Sequence, residues 1–537
     1  MASLIALRRF RRNQPPPFSH ITLAATAALC ALVGIGFCGT CRAQAFSGSL
    51  VDAVRITLDN EPGIASGKQR VAASLAAVTS AASAFDTTLN AGLSRTLQNT
   101  PVLAAQQPAV GAGISNFSNN YSVGATRKLR SGVSLNPTLS ISRSVDAVSN
   151  ITAPMRGDAA LNVVFPLLRG AGTAVNTAAE RSAQLELEAS QLAYRHSIAA
   201  AINRTVAGYW EYLSAQQSLG VQREAVENSE KLLENARRLA RADEIPAADV
   251  LKYEAGLSRD RQGVINQQQV FNFAANDLLQ AMGQRTPESA LATPTDGFVD
   301  VAPALLKALL TSAAAASVQA AAARNRADVL ALQRRQQSAQ TLLDAAQNNP
   351  SSQLDVRVGL GFSSLVENRS AVAPLAALRG GPGPNANVSL NYSFPVSSAL
   401  KQAEVAQRSA ALQLATIDYN TSLNTLQRNL ALQLGQLGEL ARQRQSALEQ
   451  VNTRVRISDN ERRRYGAGLV TAFELLAAEE QLTQERLSAV VAAKRLAQAI
   501  TAFRFEAGLL LDAKADIQTV PLGKITSLPT LNEVQLP

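Results

Sequence analysis

Two periods alternate along the chain, and each switch between them marks a change of element. From Leu50 to Ala84 the apolar positions fit a helix interrupted at Asn60-Glu61-Pro62-Gly63. Between Thr87 and Leu168 the period shortens to two: Leu89, Ala91 and Leu93, then Tyr121, Val123 and Ala125, then Val133, Leu135, Leu139 and Ile141, then Leu161, Val163 and Phe165 alternate with polar residues. Gln98 to Asn120 and Val145 to Arg156 read as loops. Helical spacing returns from about Val175 to Ala240, with Leu185, Leu192, Ile202, Val206, Tyr209 and Leu213 on its inner stripe. A turn at Asp243 to Pro246 leads into a second helix ending near Met282-Gly283.

A linker with Pro287, Pro294 and Pro303 follows, and then the plan recurs. The spacing predicts a helix from Leu305 to Gln347, a strand from Leu354 to Phe362, a glycine- and proline-rich loop through Gly380 to Pro384, and a strand from Val388 to Phe394. A helix from about Leu400 to Arg464 comes next, about 100 Å long at ~1.5 Å per residue. It stops at Tyr465-Gly466-Ala467-Gly468, and a last helix starts at Thr471. Asp249, Leu251 and Glu254 match Glu474, Leu476 and Glu479 at a constant offset of 225, and Phe165-Pro166 matches Phe394-Pro395 at 229. Asn325-Arg326-Ala327 takes the part of Asn60-Glu61-Pro62. A period of this size predicts an internally duplicated domain, with a first repeat over 46–283, a linker over 284–303, a second repeat over 304–510 and an irregular tail over 511–537.

Composition changes the picture at the N-terminus. Arg8, Arg9, Arg11 and Arg12 precede an apolar run from Ile21 to Phe37, and Ala43-Gln44-Ala45 offers a cleavage pattern, so 1–45 reads as a signal peptide. Cys30, Cys38 and Cys41 all lie inside it, which leaves the remaining chain without disulfides, thiolate metal sites or a cysteine nucleophile. The residues before Cys38 and Cys41 fit a lipid-attachment box poorly. Five of the 51 basic residues fall in this segment, leaving 46 basic against 41 acidic, spread along helices in the manner of solvated faces rather than a nucleic-acid footprint.

An exported chain with strands of roughly 9–11 residues, long loops at one end only and helices at the other, points to membrane strands. Unpaired backbone in lipid costs several kcal/mol per group, and four strands, or six if Tyr121 to Ile141 joins, fall short of the ~8 of the smallest single-chain barrels. The barrel is therefore expected to be shared between subunits. Pro137 argues mildly against a central strand at that extra segment, which leaves an added pair of barrel strands and an extracellular hairpin both open.

The pattern resembles the TolC family of outer-membrane efflux proteins over essentially the whole chain after residue 45. The residues that carry it are Leu50, Ala53, Leu58, Asn60 and Pro62, the run Phe165-Pro166-Leu167-Leu168-Arg169-Gly170, Asn325-Arg326-Ala327-Asp328, and Tyr465 with Gly468. The resemblance implies an α+β membrane protein: a homotrimer in which each subunit gives about four strands to a twelve-stranded barrel in the outer-membrane lipid and its helices to a periplasmic tunnel. Substrates delivered by an inner-membrane transporter and a periplasmic adaptor, in a tripartite efflux or type I secretion system, leave through it. It also implies a periplasmic gate. By position Glu474 matches the family's first constriction carboxylate, while Ala477 stands where the second would be. Tyr465 and Asp249 match a tyrosine-to-aspartate latch, with Val470 replacing the arginine that would complete it. The turns with Asp243, Glu244, Gly466 and Gly468 are the candidate adaptor contacts.

Simpler roles stand beside these. Thr471-Ala472-Phe473-Glu474 is also a capping box, and Asp249 lies where it complements a helix dipole. Tyr209 and Trp210 lie on the packing stripe, and His196, the only histidine after residue 45, makes neither a metal site nor a triad by itself. With no such site and charges spread along helices, no catalysis, cofactor, metal or nucleic-acid partner is expected; no phosphate-binding glycine loop is present either, so energy is expected from a partner pump. The competing reading is a non-channel coiled-coil protein of the cell envelope.

Overall fold

The computed structural model describes residues 46–101, 103, 113–146, 154–284, 291–299, 301–367, 373–380, 383–511 and 525–530. The 1–45 segment, with its expected signal peptide and the three cysteines, lies outside them.

The chain begins with α1 (Leu50–Asn60), capped by the Ser49 side chain, and α2 (Pro62–Ala82), which starts on a proline with Glu61 as its N-cap. Four strands follow: β1 (Thr88–Pro101), β2 (Gly113–Lys128), β3 (Ser134–Asp146) and β4 (Met155–Pro166). A short α3 (Thr173–Asn176) leads to α4 (Ala178–Arg241), which α5 (Ala247–Ala281) pairs with on the return. The second half runs α6 (Pro303–Leu309), α7 (Ser312–Asn325), α8 (Ala327–Asn348), β5 (Gln353–Val366), a short α9 (Ala373–Ala377), β6 (Gly383–Ser393), α10 (Ala399–Gly466) and α11 (Ala472–Glu506). α10 has 68 residues, about 100 Å at ~1.5 Å per residue. Among the described residues no single helix is long and apolar enough to cross a membrane.

All six strands form one antiparallel sheet in the order β1-β2-β3-β4-β5-β6. Where four strands are expected, the described residues form six: Tyr121 to Ile141 supplies half of β2 and most of β3, two central strands. Their turn folds back to the helical end, where Leu129 N donates to Val133 O at 2.7 Å and Arg130 pairs with Glu180 at 2.8 Å. Pro137 does sit in a central strand. The ladder to β2 lapses opposite it, between the pairs Gly124↔Thr138 and Arg127↔Leu135, because proline has no N–H to give, while pairing with β4 continues. Two predicted loops are also shorter than expected. β1 runs on to Pro101, β2 starts at Gly113, β3 reaches Asp146 and β4 starts at Met155, since the backbone ladder continues past the alternating apolar residues into serine- and asparagine-rich ends.

The predicted helix from Leu305 to Gln347 is three helices. Thr311 caps α7, and Arg326 takes an extended conformation between α7 and α8. Local propensity in this alanine-rich run offers no reason to stop; tertiary contacts do. The Arg326 guanidinium bonds Asp328 at 2.9 Å and Glu506 at the end of α11, and lies over the Phe505 ring. The two helix breaks are packed alike. Gly283, after α5, has φ 69° and lies so close to the α1–α2 break that an added Cβ would stand 2.5 Å from Asn60 O; Gly508, after α11, has φ 71° and would stand 3.2 Å from Arg326 N.

The core sits where these breaks meet the long helices. One cluster joins α1 to α4 and α5 through Ile56, Ile202, Val206 and Leu278, and another joins α7 and α8 to α10 and α11 through Val318, Val329, Leu430 and Ile500. Ile525 and Leu528 from the C-terminal region plug into them. Tyr209 and Trp210 are wholly buried packing residues, the indole 5.9 Å from Phe298 and the Tyr209 hydroxyl donating to Asp296 at 2.8 Å.

His196 lies beside the Arg326 joint, 3.6 Å from Asp328 and 5.4 Å from the Phe505 ring. Burial holds its imidazole below the ordinary histidine value, with Asp328 opposing and Arg326 assisting. The unfolded chain then binds the extra proton first, so stability is greatest above about pH 6.5 and declines as pH falls below it. The thermal midpoint of the wild type is expected to drop between pH values just above and just below that point, and His196→Gln to flatten the dependence; identical profiles would remove the histidine as the cause.

Candidate functional site

The residues with candidate roles gather at the two helical turns farthest from the sheet, and both turns are built the same way. After α4, Asp243 adopts φ 55°, with Asp243 N donating to Ala240 O at 3.2 Å and Glu244 N to Leu239 O at 3.0 Å. After α10, Gly468 adopts φ 69°, with Gly468 N donating to Tyr465 O at 3.0 Å and Leu469 N to Arg464 O at 2.9 Å. Each turn is a left-handed helix stop in which the overhanging amides satisfy the last carbonyls; Asp243 holds without a glycine what Gly468 holds with one. Gly466 and Glu244 are exposed beside them.

Glu474 closes a capping box. Its carboxylate accepts from Thr471 N at 2.7 Å and Thr471 Oγ1 at 3.2 Å, while Glu474 N donates to Thr471 Oγ1 at 3.4 Å. The side chain is nonetheless exposed. Asp249 pairs with Lys252 at 2.8 Å, three residues on. Tyr465 meets a different partner from the aspartate: the Tyr253 hydroxyl donates to the Tyr465 oxygen at 3.0 Å. Tyr253 is 1% exposed and packs with Leu233, Ala236 and Leu257 against Ala472 and Leu476 of the other hairpin. Burial, and then the bond to Tyr465, push its phenol well above the usual tyrosine range, so it stays a neutral donor.

Matching ion pairs tie each hairpin to itself, Arg237 with Glu254 and Arg462 with Glu479, both at 2.7 Å, and Glu479 also accepts from the buried Ser458. A line of polar contacts joins the two hairpins along their length: Lys494 with Glu211 and Arg486 with Glu224 at 2.8 Å, Arg259 with Glu480 at 3.1 Å, and the tyrosine pair at the tip. Sequence reasoning missed Tyr253 and this seam. A tyrosine four residues after Asp249 in an alanine- and leucine-rich helix was the available signal; the ion pairs had none, because long helices carry many charges and their partners lie more than 200 residues away. Among the described residues no group of three or more histidine, cysteine or acidic side chains is arranged to hold a metal.

The sheet is the other feature with chemistry, because its two faces differ. Register aligns Ala91, Val123, Leu139, Ala159, Phe362 and Pro384 across all six strands on one face, and Leu135, Val163, Val358 and Val388 beside them. The opposite face carries Asn90, Gly124, Thr138, Ala160, Gly361 and Asn385 in one row. Most of the apolar face is bare: Leu89 is 81%, Leu93 75% and Val388 74% exposed. Among the described residues β1 and β6 have no neighbour on their outer edges.

This architecture recurs in solved structures. The chain is similar to the outer-membrane channel OprN (17% identity over 88% of this chain and 91% of that one, TM-score 0.62). It is similar also to the CmeC outer membrane channel of Campylobacter jejuni (14%, 87% and 87%, TM-score 0.61) and to the open state of the MtrE outer membrane channel of Neisseria gonorrhoeae (14%, 86% and 89%, TM-score 0.58). No protein-family model matches the chain, and no curated protein matches it by sequence. The fold of the chain is therefore that of the TolC-like outer-membrane channels, as the resemblance in its sequence implies.

Proposed function

We propose that the chain is one subunit of a homotrimeric exit duct in the outer membrane. The observation that carries the reading is the two-faced sheet with two open edges. An apolar face this wide is unstable in water, and open edges are costly in lipid, so the sheet fits a barrel wall closed by other copies of itself. Six is an even number and β1 and β6 run in opposite directions, so β6 of one copy can pair antiparallel with β1 of the next. Three copies give eighteen strands, not the twelve of the family pattern, around a lumen of asparagine, serine and threonine side chains. A barrel of that size leaves room for an aqueous channel.

Below it the paired helices of the duplicated halves form the periplasmic tunnel. Its closed end lies at the helix tips, where Tyr465, Asp249 and Glu474 line the constriction and the Asp243, Glu244, Gly466 and Gly468 turns meet a periplasmic adaptor. The duct is passive, and an inner-membrane transporter of a tripartite efflux or type I secretion system supplies substrate and energy.

Planar-bilayer conductance of the purified, detergent-solubilised protein tests this. Discrete steps from a species with the mass of a trimer are expected; a water-soluble monomer without steps overturns the duct. Tyr465→Phe removes the one acceptor that joins the tips through Tyr253. At roughly 1 kcal/mol per bond, three bonds released together are expected to raise the open fraction on the order of a hundredfold. Unchanged gating statistics would return both tyrosines to packing.

A further inference from the structure

The apolar series of three neighbouring strands is broken once in each. Leu93, Arg95 and Leu97 follow one another on the exposed face of β1, Phe117, Asn119 and Tyr121 on β2, and Leu139, Ile141 and Arg143 on β3. Register sets the three exceptions side by side, Arg95 against Asn119 and Asn119 against Arg143. A polar row inside an apolar face is costly in hydrocarbon unless it meets a counter-charge.

The row has no such partner among the described residues. Among the described residues neither Arg95 nor Arg143 forms an ion pair or hydrogen bond, and Arg143 Nε is shut off from water with no acceptor. The other sheet arginine near this end, Arg156, faces the polar side and is neutralised by Asp158 at 2.9 Å. On β2 the next charge on the apolar face is Arg127, eight residues from Asn119 and roughly 26 Å along the strand, close to the ~25 Å of a membrane barrel's apolar band. The arginine row thus stands on the far side of that band from the helices, with only Leu97 and Phe117 of the β1 and β2 series beyond it.

A groove of about 380 Å³ begins next to the row. Ala91, Leu93, Tyr121, Leu139 and Ile141 form its floor and Leu375 of α9 stands in its wall. That wall is seated on the sheet: Ser364 Oγ donates to Pro374 O at 2.7 Å, and Gly157 leaves the space, since an added Cβ would lie 2.9 Å from Pro374 Cβ. An apolar trough continuous with two unpaired guanidinium groups and an amide matches one chemistry, an acyl chain joined to a phosphate. A free phosphate would gain nothing from the trough, and a zwitterionic lipid would leave net positive charge.

We infer that Arg95, Asn119 and Arg143, with the groove beside them, bind a phosphorylated anionic lipid of the outer leaflet on the outside of the barrel. The inference rests on the membrane reading of the sheet given above.

The test is native mass spectrometry of the assembled full-chain protein, titrated with phosphatidic acid and, separately, with phosphatidylcholine. Wild type is expected to retain phosphatidic acid preferentially, and Arg95→Gln with Arg143→Gln to weaken that retention about tenfold or more. Arg95→Lys keeps the charge at an exposed edge position and should keep most of the affinity, so a folding defect in the double variant does not decide the outcome. Millimolar inorganic phosphate should fail to displace the lipid; displacement would mean a bare anion site and overturn the inference. Equal retention of the two lipids by wild type, or undiminished binding by the double variant, would overturn it too. Flotation of wild type with liposomes separates the two readings: protein that floats yet shows no lipid preference loses only this site, whereas protein that never associates with bilayers loses the duct as well.

Discussion

Leu161→Arg is expected to keep the chain out of the outer membrane, while Asn162→Arg, one residue further on, leaves assembly intact and changes conductance. Leu161 lies near the middle of β4, paired with Pro137 on one side and Leu360 on the other, all on the apolar face; Asn162 pairs with Asn136 and Gly359 on the polar one. An arginine facing lipid at the middle of a membrane barrel costs about 2–4 kcal/mol per subunit, roughly 30- to 800-fold in the insertion equilibrium. In a lumen of amides and hydroxyls the same guanidinium stays hydrated. The measurement is the amount of heat-modifiable oligomer in the outer-membrane fraction for the two variants beside wild type. Two variants that assemble equally well, or fail equally, would contradict the assignment of faces and with it the barrel.

Much of this architecture is legible in the sequence wherever one period runs for long enough. Leu423, Leu426, Leu430, Leu434 and Leu437 recur at helical spacing, and the last four of these lie buried in α10 against the rest of the core. Val356, Val358, Leu360 and Phe362 alternate, and they do form β5. The turns were readable from chemistry, because a residue at positive φ has few candidates and Gly468 and Asp243 are among them. What escaped depends on partners remote in sequence. The β2–β3 hairpin belongs to the sheet through its pairing with β1 on one side and β4 on the other, which nothing local announces, and Pro137 spoke against it. The break at Arg326 exists for Glu506, 180 residues later.

At the helix tips, where the resemblance proposes a gate, the capping role of Glu474 is local and follows from four consecutive residues, whereas the partner of Tyr465 was decided by packing. Tyr253 reaches it because Gly256, one turn further along α5, lets Leu476 come within 3.3 Å of where a Cβ would be, which draws the hairpins together.

Arg326→Met is expected to cost far more stability than Arg237→Met, although each removes an arginine from an ion pair. Arg237 and Glu254 are 55% and 42% exposed, so water and salt screen their attraction and its loss costs under about 1 kcal/mol. The Arg326 side chain is 13% exposed and that of Glu506 12%. Removing the cation strands Glu506 in a poorly hydrated site, leaves Asp328 without its 2.9 Å partner, and takes the guanidinium off the Phe505 ring. Breaking a buried pair from one side costs about 3–5 kcal/mol, because the surviving charge is left uncompensated. The joint it holds is the one that sets α8, which leads into β5, against the end of α11. Loss of the pair should therefore loosen the link between the sheet and the long helices before the long hairpins melt. The check is the thermal midpoint of the purified protein, compared among wild type, both single variants, and Arg326→Met combined with Glu506→Gln. The combined variant is expected to recover part of the loss, since it no longer buries a lone carboxylate. A drop no larger for Arg326→Met than for Arg237→Met, or no recovery in the combined variant, would show that the joint is held by its apolar contacts and that the arginine merely sits on it.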